Sequence, residues 1–223
     1  DKILFWLGRL EAEMSREVGV DQLGRQELLL AGHILLSDSQ SYVQHEIPTE
    51  LGELKQLRHL DLNGNLEYPG VVPSTIGQLT ALTHLEIRLR NLTSVPTQIG
   101  SLTRLTRITF NSFVPIRPNG QSIQDIPSTI GLLTTNLTRL ELGSNLIGTL
   151  PTQIGMLTKL TTLQLHSNRL TAMPSQIGRL TKLTHFHFVD NDIKSWPPGI
   201  QNLTELRGLL FSQVPFIRSS QFH

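Results

Sequence analysis

The pattern Leu-x-x-Leu-x-x-Leu-x-Leu returns along this chain at a nearly fixed interval, and it limits the fold more than any other feature. One unit reads Leu157-Thr158-Lys159-Leu160-Thr161-Thr162-Leu163-Gln164-Leu165-His166-Ser167-Asn168, followed by Pro174, Ile177 and Gly178. Units start at Leu54, Leu79, Leu102, Leu133, Leu157, Leu180 and Leu203. Their spacing is 23 to 25 residues, except for 31 between Leu102 and Leu133. Such a period means stacked units, each too small to bury its apolar face alone.

Each unit has two halves. In Leu163-Gln164-Leu165 the period is two, so both leucines point to the core and Gln164 points away. Leu157 and Leu160 enter the same core from the preceding turn. Asn168 follows the strand, where a buried carboxamide can satisfy backbone groups of the adjacent turn. Pro174 stops any strand, Ile177 packs a short segment back on the core, and Gly178 is expected to permit a sharp return. Asn65, Asn145, Asn168 and Asn191 hold the asparagine position. Arg90, Phe113 and Val214 replace it elsewhere, so those turns are expected to be less regular.

This repeat resembles the leucine-rich-repeat family over about nine-tenths of the chain. The half Pro-x-x-Ile-Gly-x-Leu-Thr-x-Leu is similar to the plant-type and Ras-suppressor-type subclasses. The resemblance implies an α/β repeat solenoid: a right-handed horseshoe with a concave parallel sheet and short irregular or helical convex segments. It also implies a protein-binding module, an interaction scaffold or a receptor-type recognition domain.

The ends depart from the pattern. Ile3, Leu7, Leu10, Met14 and Val18 fall at helical spacing, which predicts an amphipathic capping helix over 1–21. A degenerate first repeat is expected over 22–53, with Leu28 and Leu30 in its strand. Six full units and a truncated seventh fill 54–223. Two stretches rich in loop-forming residues, Leu36 to Glu46 and Val114 to Gln124, read as surface loops. The last unit runs Leu209-Leu210-Phe211-Ser212-Gln213-Val214-Pro215-Phe216-Ile217 and lacks a polar closing face, so association through this apolar edge is an expectation.

Composition narrows the function. Lys and Arg number 19 against 18 Asp and Glu, for a formal charge of +1, which gives no general attraction to nucleic acid. Apolar runs are too short to span a bilayer, so no membrane insertion is expected. With no cysteine, disulfides and thiolate metal sites are excluded. The lack of cysteine and of a recognisable signal peptide leans toward the cytosol, with secretion as the alternative. Asn91, Asn136 and Asn202 each precede Leu-Thr, but Leu-Thr belongs to the repeat, so these glycosylation matches arise by accident.

Candidate binding residues are those that alternate with the core leucines and so line the concave face. One column is His59, His84, Arg107, Arg139, Thr162, His185 and Gly208. The next is Asp61, Glu86, Thr109, Glu141, Gln164, His187 and Leu210. A third includes Asn63, Arg88, Asn111, Gly143 and His166. Glu86, Arg88, Arg107, Arg139 and Glu141 fall close together and form the candidate recognition patch. His166, His185 and His187 should also cluster. No acidic residue clearly completes a second shell around them, so no metal is assigned. No nucleophile–base arrangement, phosphate loop or catalytic motif is present, so the chain reads as a binder of proteins that is not an enzyme and needs no cofactor.

Two other readings stand beside this one. Extracellular carbohydrate or cell-wall recognition would favour aromatic platforms, yet aromatics make up only 5%. Ice binding would use stacked threonine rows, namely Thr80, Thr103, Thr158, Thr181 and Thr204, or Thr83, Thr106, Thr138, Thr161 and Thr184.

Overall fold

The computed structural model describes residues 32–43, 47–66, 70–89, 92–111 and 122–211. Their strands in chain order are β1 (His33–Val43), β2 (His59–Leu66), β3 (Gly70–Val71), β4 (His84–Leu89), β5 (Leu92–Ser94), β6 (Arg107–Phe110), β7 (Arg139–Glu141), β8 (Thr162–Gln164), β9 (His185–Phe188) and β10 (Gly208–Phe211). Eight of them form one sheet in the order β1-β2-β4-β6-β7-β8-β9-β10. Every neighbouring pair is parallel. Each unit therefore lays one strand beside that of the unit before it. Leu142 and Leu165 lie just past β7 and β8, but their amides extend the ladder to Gln164 O at 2.8 Å and His187 O at 2.7 Å.

The alternation read from the sequence decides which face is buried. Leu85, Ile87, Leu163 and Leu165 are fully buried, as are Leu79, Leu82, Leu157 and Leu160 from the turns before them. Burying one such side chain contributes about 1.5–3 kcal/mol, and the same layer recurs in every unit. No unit could hold this arrangement alone, because each leucine layer is closed by the layers of the units beside it.

The convex side is built from one-turn 3₁₀ segments: η1 (Thr49–Glu53), η2 (Ser74–Gln78), η3 (Thr97–Ser101), η4 (Ser128–Leu132), η5 (Thr152–Met156), η6 (Ser175–Arg179) and η7 (Ile200–Asn202). A proline precedes each of the first six, with φ between −64° and −70°. The ring presets that angle, and its carbonyl accepts the amide three residues on, as Pro174 O does from Ile177 at 3.0 Å. The isoleucine of η2 to η6, for example Ile154 or Ile177, and Leu51 of η1 are then driven into the core.

Several expectations need correction. Gly178 was read as a return turn, but it lacks the positive φ seen at Gly199. A Cβ there would meet Gly199 O at 2.9 Å, and one at Gly155 would meet Gln176 O at 2.5 Å. Glycine is required because successive convex segments pack backbone against backbone. The left-handed residues of the turns are instead Ser144, Ser167 and Asp190, with φ of 56°, 54° and 55°, each just before an asparagine.

Leu36 to Val43, read as loop, belong to β1, which pairs with β2 through Ser37 and again at Tyr42, with a bulge between them. The first unit's strand lies here; Leu28 and Leu30, expected to form it, fall outside the described residues. So do the cap over 1–21, Arg90, Phe113, Val214, residues 114–121 of the insertion and the tail from Ser212. β10 ends the sheet among the described residues, and its Phe211 is 41% exposed while Leu209 is half-buried. The sequence also gave no sign of the small second sheet, in which β3 pairs parallel with β5 on the flank of the solenoid.

Candidate binding face

Strand pairing puts the non-core side chains in register. His33, His59, His84, Arg107, Arg139, Thr162, His185 and Gly208 are successive partners across the sheet. A second column runs Asp61, Glu86, Thr109, Glu141, Gln164, His187 and Leu210. Adjacent strands lie about 4.8 Å apart, so each column is a continuous stripe. His33 joins the first stripe although the sequence reading left it out. That omission follows from placing the first strand too early in the chain.

The predicted patch comes together, but its members differ. Glu86 pairs with Arg88 along β4, and Arg139 pairs with Glu141 at 3.0 Å along β7. Glu141 is buried rather than solvent-facing, and it also accepts from the Thr109 hydroxyl at 3.4 Å. Arg107 is exposed and makes no ion pair among the described residues. The patch thus holds two internally compensated pairs and one guanidinium open to a partner.

At one end of the face the imidazoles of His33, His59 and His84 form a stack. Ring centroids are 4.1 Å apart between the first two and 4.3 Å between the last two, with planes 8° and 24° apart. Burial lowers the pKa of both His59 and His84, and neighbouring cationic groups lower it further. Beside them Asp61 is pushed up to about 6, first by burial and then by Glu86, with Arg88 acting the other way. His59 Nδ1 and Asp61 Oδ1 are buried and unpartnered, as is Asn111 Oδ1.

At the other end, His185 and His187 stand edge to face with centroids 6.4 Å apart, and His166 lies over Gly143. Burial, then His185 and His166, lower the pKa of His187. No group of three potential ligands converges on a metal position among the described residues. Gln164 lies half-buried between the two ends.

The threonines of the repeat bond carbonyls of the preceding unit and also approach the imidazoles beside them. Thr83 Oγ1 donates to Arg58 O at 3.0 Å and lies 2.9 Å from His84 Nδ1. With its proton on the carbonyl, the hydroxyl is left as an acceptor toward His84 Nδ1. Thr184 and His185 repeat the arrangement, with the hydroxyl held by Thr161 O. Thr106, Thr138 and Thr161 likewise donate to the unit before them. The hydroxyl protons of this row are thus held within the protein itself.

The described residues contain no helix long and apolar enough to cross a membrane. No curated protein matches the chain in sequence. A family described as leucine-rich repeat region matches residues 129–222. Among solved structures, the ectodomain of the receptor kinase GASSHO1/SCHENGEN3 from Arabidopsis thaliana, in complex with CASPARIAN STRIP INTEGRITY FACTOR 2, is 24% identical. That match covers 95% of this chain and 26% of the other, with a TM-score of 0.69. A TDR receptor is 28% identical over 78% of this chain and 29% of its own, with a TM-score of 0.64. The plant peptide hormone receptor RGFR1, in complex with RGF2, is 26% identical over 77% and 31%, with a TM-score of 0.60. The chain therefore spans only about three-tenths of the structures it matches. Repeat, parallel sheet and comparisons agree on a leucine-rich-repeat fold.

Proposed function

We propose that this chain is a recognition module that binds a protein or peptide on its concave face, around Glu86, Arg88, Arg107, Arg139 and Glu141. The observation that carries the reading is the register pairing His84 with Arg107 and Arg107 with Arg139, which sets the open guanidinium of Arg107 on a stiff sheet among ordered charges. A surface already ordered loses little entropy when a partner docks. Charges so placed govern partner choice and association rate more than raw affinity. The likeness to a peptide hormone receptor supports the same class of partner. Recognition without catalysis fits the threonine–histidine pairs, whose hydroxyl protons are held by backbone carbonyls.

The test is capture of partners on the immobilised chain, comparing wild type with Arg107→Glu/Arg139→Glu. Arg139→Glu also sets a carboxylate against buried Glu141, so Arg107→Glu alone is run beside the double variant. Arg107 is exposed and makes no ion pair among the described residues, and the melting temperature of the single variant should hold within about 2 °C. Captured proteins identified by mass spectrometry should be lost from the variant. Unchanged capture by a well-folded variant would move the site off this face.

A further inference from the structure

The stripe His33–His59–His84–Arg107–Arg139 holds three imidazoles next to two guanidinium groups on consecutive strands. We propose that this stripe is a proton-gated docking surface for an acidic, extended segment of a partner, closed at neutral pH and opened by acidification. The proposal deepens the reading of the concave face given above and rests on it.

Geometry makes the stripe responsive to protons. Two imidazoles stacked at 4.1 and 4.3 Å cannot both become cationic without strong mutual repulsion. The charged groups packed around them are Arg58 beside β2, Asp61 on the same strand, Glu86 and Arg88 on β4, and Arg107 on β6. Arg58 and Arg107 oppose protonation of the stack. With the rings neutral, the N-terminal part of the face presents Asp61 and Glu86 beside them, and an acidic segment is repelled.

Acidification changes both columns in the same direction. Asp61 has a buried oxygen with no partner, so holding a proton there relieves an uncompensated charge. Protonation of the stack adds positive charge in the adjacent column. A proton added to His84 makes both ring nitrogens donors, one of them toward the Thr83 hydroxyl. Glu86 stays tied to Arg88. The face thus turns from mixed to cationic, continuous with Arg107.

Carboxylates laid along the stripe at the strand spacing would separate and neutralise the imidazoliums. Binding then raises the imidazole pKa above its value in the free protein and takes up protons. By linkage, affinity is highest at acid pH and falls as pH rises through the pKa of the complex. Histidine is the side chain suited to such a change near neutrality.

The probe is a fluorescein-labelled peptide of ten glutamates, whose side chains remain mostly ionised at pH 5.5. Its affinity for the intact chain is measured at pH 5.5 and 7.5 at one ionic strength, beside His59→Gln/His84→Gln. We expect wild type to gain about tenfold in affinity on acidification and the variant under about threefold. Wild-type affinity flat across this range, or a variant with the full gain, overturns the proposal. A second readout is independent of affinity: the ring signals of His59 and His84 are followed by nuclear magnetic resonance through a pH titration. Both must titrate below the ordinary imidazole range in the free chain and move upward when the peptide is added. Rings that titrate identically with and without peptide also overturn it. Partner capture through Arg107 and Arg139 can succeed while this response is absent, so failure of the gate is distinguishable from failure of the binding reading.

Discussion

Asn168 and Asn191 converge on one acceptor. Both donate through Nδ2 to the carbonyl of Leu165, at 3.0 and 2.9 Å, although they belong to successive units. Leu142 O is shared in the same way by Asn145 at 3.1 Å and Asn168 at 2.9 Å. The other side of each carboxamide is also used: Asn168 Oδ1 accepts from Ile147 N and Asn191 Oδ1 from Leu170 N, both at 3.0 Å. The ladder replaces strand hydrogen bonds where the chain leaves the sheet, and the left-handed residue before each asparagine turns its side chain inward.

Asn168→Ala removes one donor from three carbonyls, of which Leu142 O and Leu165 O keep a second asparagine, and leaves Ile147 N without its acceptor in a buried turn. The loss should be about 1–3 kcal/mol, since an unsatisfied buried group keeps its full desolvation cost. Asn136 also bonds a carbonyl, Thr103 O at 3.0 Å, but it is exposed and water can replace it. Asn136→Ala should cost under about 0.5 kcal/mol. Urea unfolding of the two variants separates these cases, and equal midpoints would refute the asymmetry.

How much of this was legible in the sequence depends on what repeats. The leucine and isoleucine positions recur in every unit, so strands, core and the columns from His59 onward could be read directly. The role of Gly178 could not. Glycine serves both turns and close approach, and only the neighbouring unit's position tells them apart. The register of the first described strand could not be read, because Leu28 and Leu30 offer the same spacing and only the pairing of Ile34 with Leu60 sets it. The depth of Glu141 was also hidden: alternation says which way a side chain points, not what covers it.

The convex glycines make a second prediction. Gly155→Ala would drive its Cβ to 2.5 Å from Gln176 O, a backbone atom that cannot swing aside. Separating two packed segments should cost about 1–3 kcal/mol. Gly148 has open space around a Cβ and no positive φ. Gly148→Ala should be neutral or stabilise by up to about 1 kcal/mol through the unfolded chain. Thermal melts of both variants decide the matter; destabilisation by Gly148→Ala would show that freedom of the backbone, not space, sets these positions.

Arg58 stands where the next five units carry threonine, and the change leaves His59 Nδ1 buried without a partner. In the next unit Thr83 supplies that partner to His84. Arg58 N already donates to Gly32 O at 2.8 Å, as Thr83 N does to Arg58 O, so the backbone there is set for a threonine. Arg58→Thr should add a hydroxyl bond to Gly32 O and satisfy the imidazole, for a gain of about 0.5–1.5 kcal/mol at neutral pH. No gain in the urea midpoint would mean that the exposed arginine contributes as much as the missing hydroxyl.

Asp61 gives a pH-dependent prediction whose sign can be worked out. Its folded pKa of about 6 stands above the ordinary value of 3.8, so the folded chain holds a proton over that window which the unfolded chain has lost. Asp61 therefore opposes folding above pH 6, and this cost fades as pH falls toward 3.8, below which both states are protonated. Burial of His59, His84 and His187 acts in the other direction, because their lowered pKa values make the unfolded chain the better proton acceptor below about 6.5. Total stability against pH mixes the two effects, so the comparison must be made within one pair of proteins. Asp61→Asn removes the carboxylate and leaves the histidines in place. The variant should melt above wild type at pH 7.5, and the difference should shrink steadily until the curves meet near pH 4. Melting temperatures at half-unit intervals across that range check it. A difference that is constant, or that widens on acidification, would mean that Asp61 is not held in its protonated form by this face.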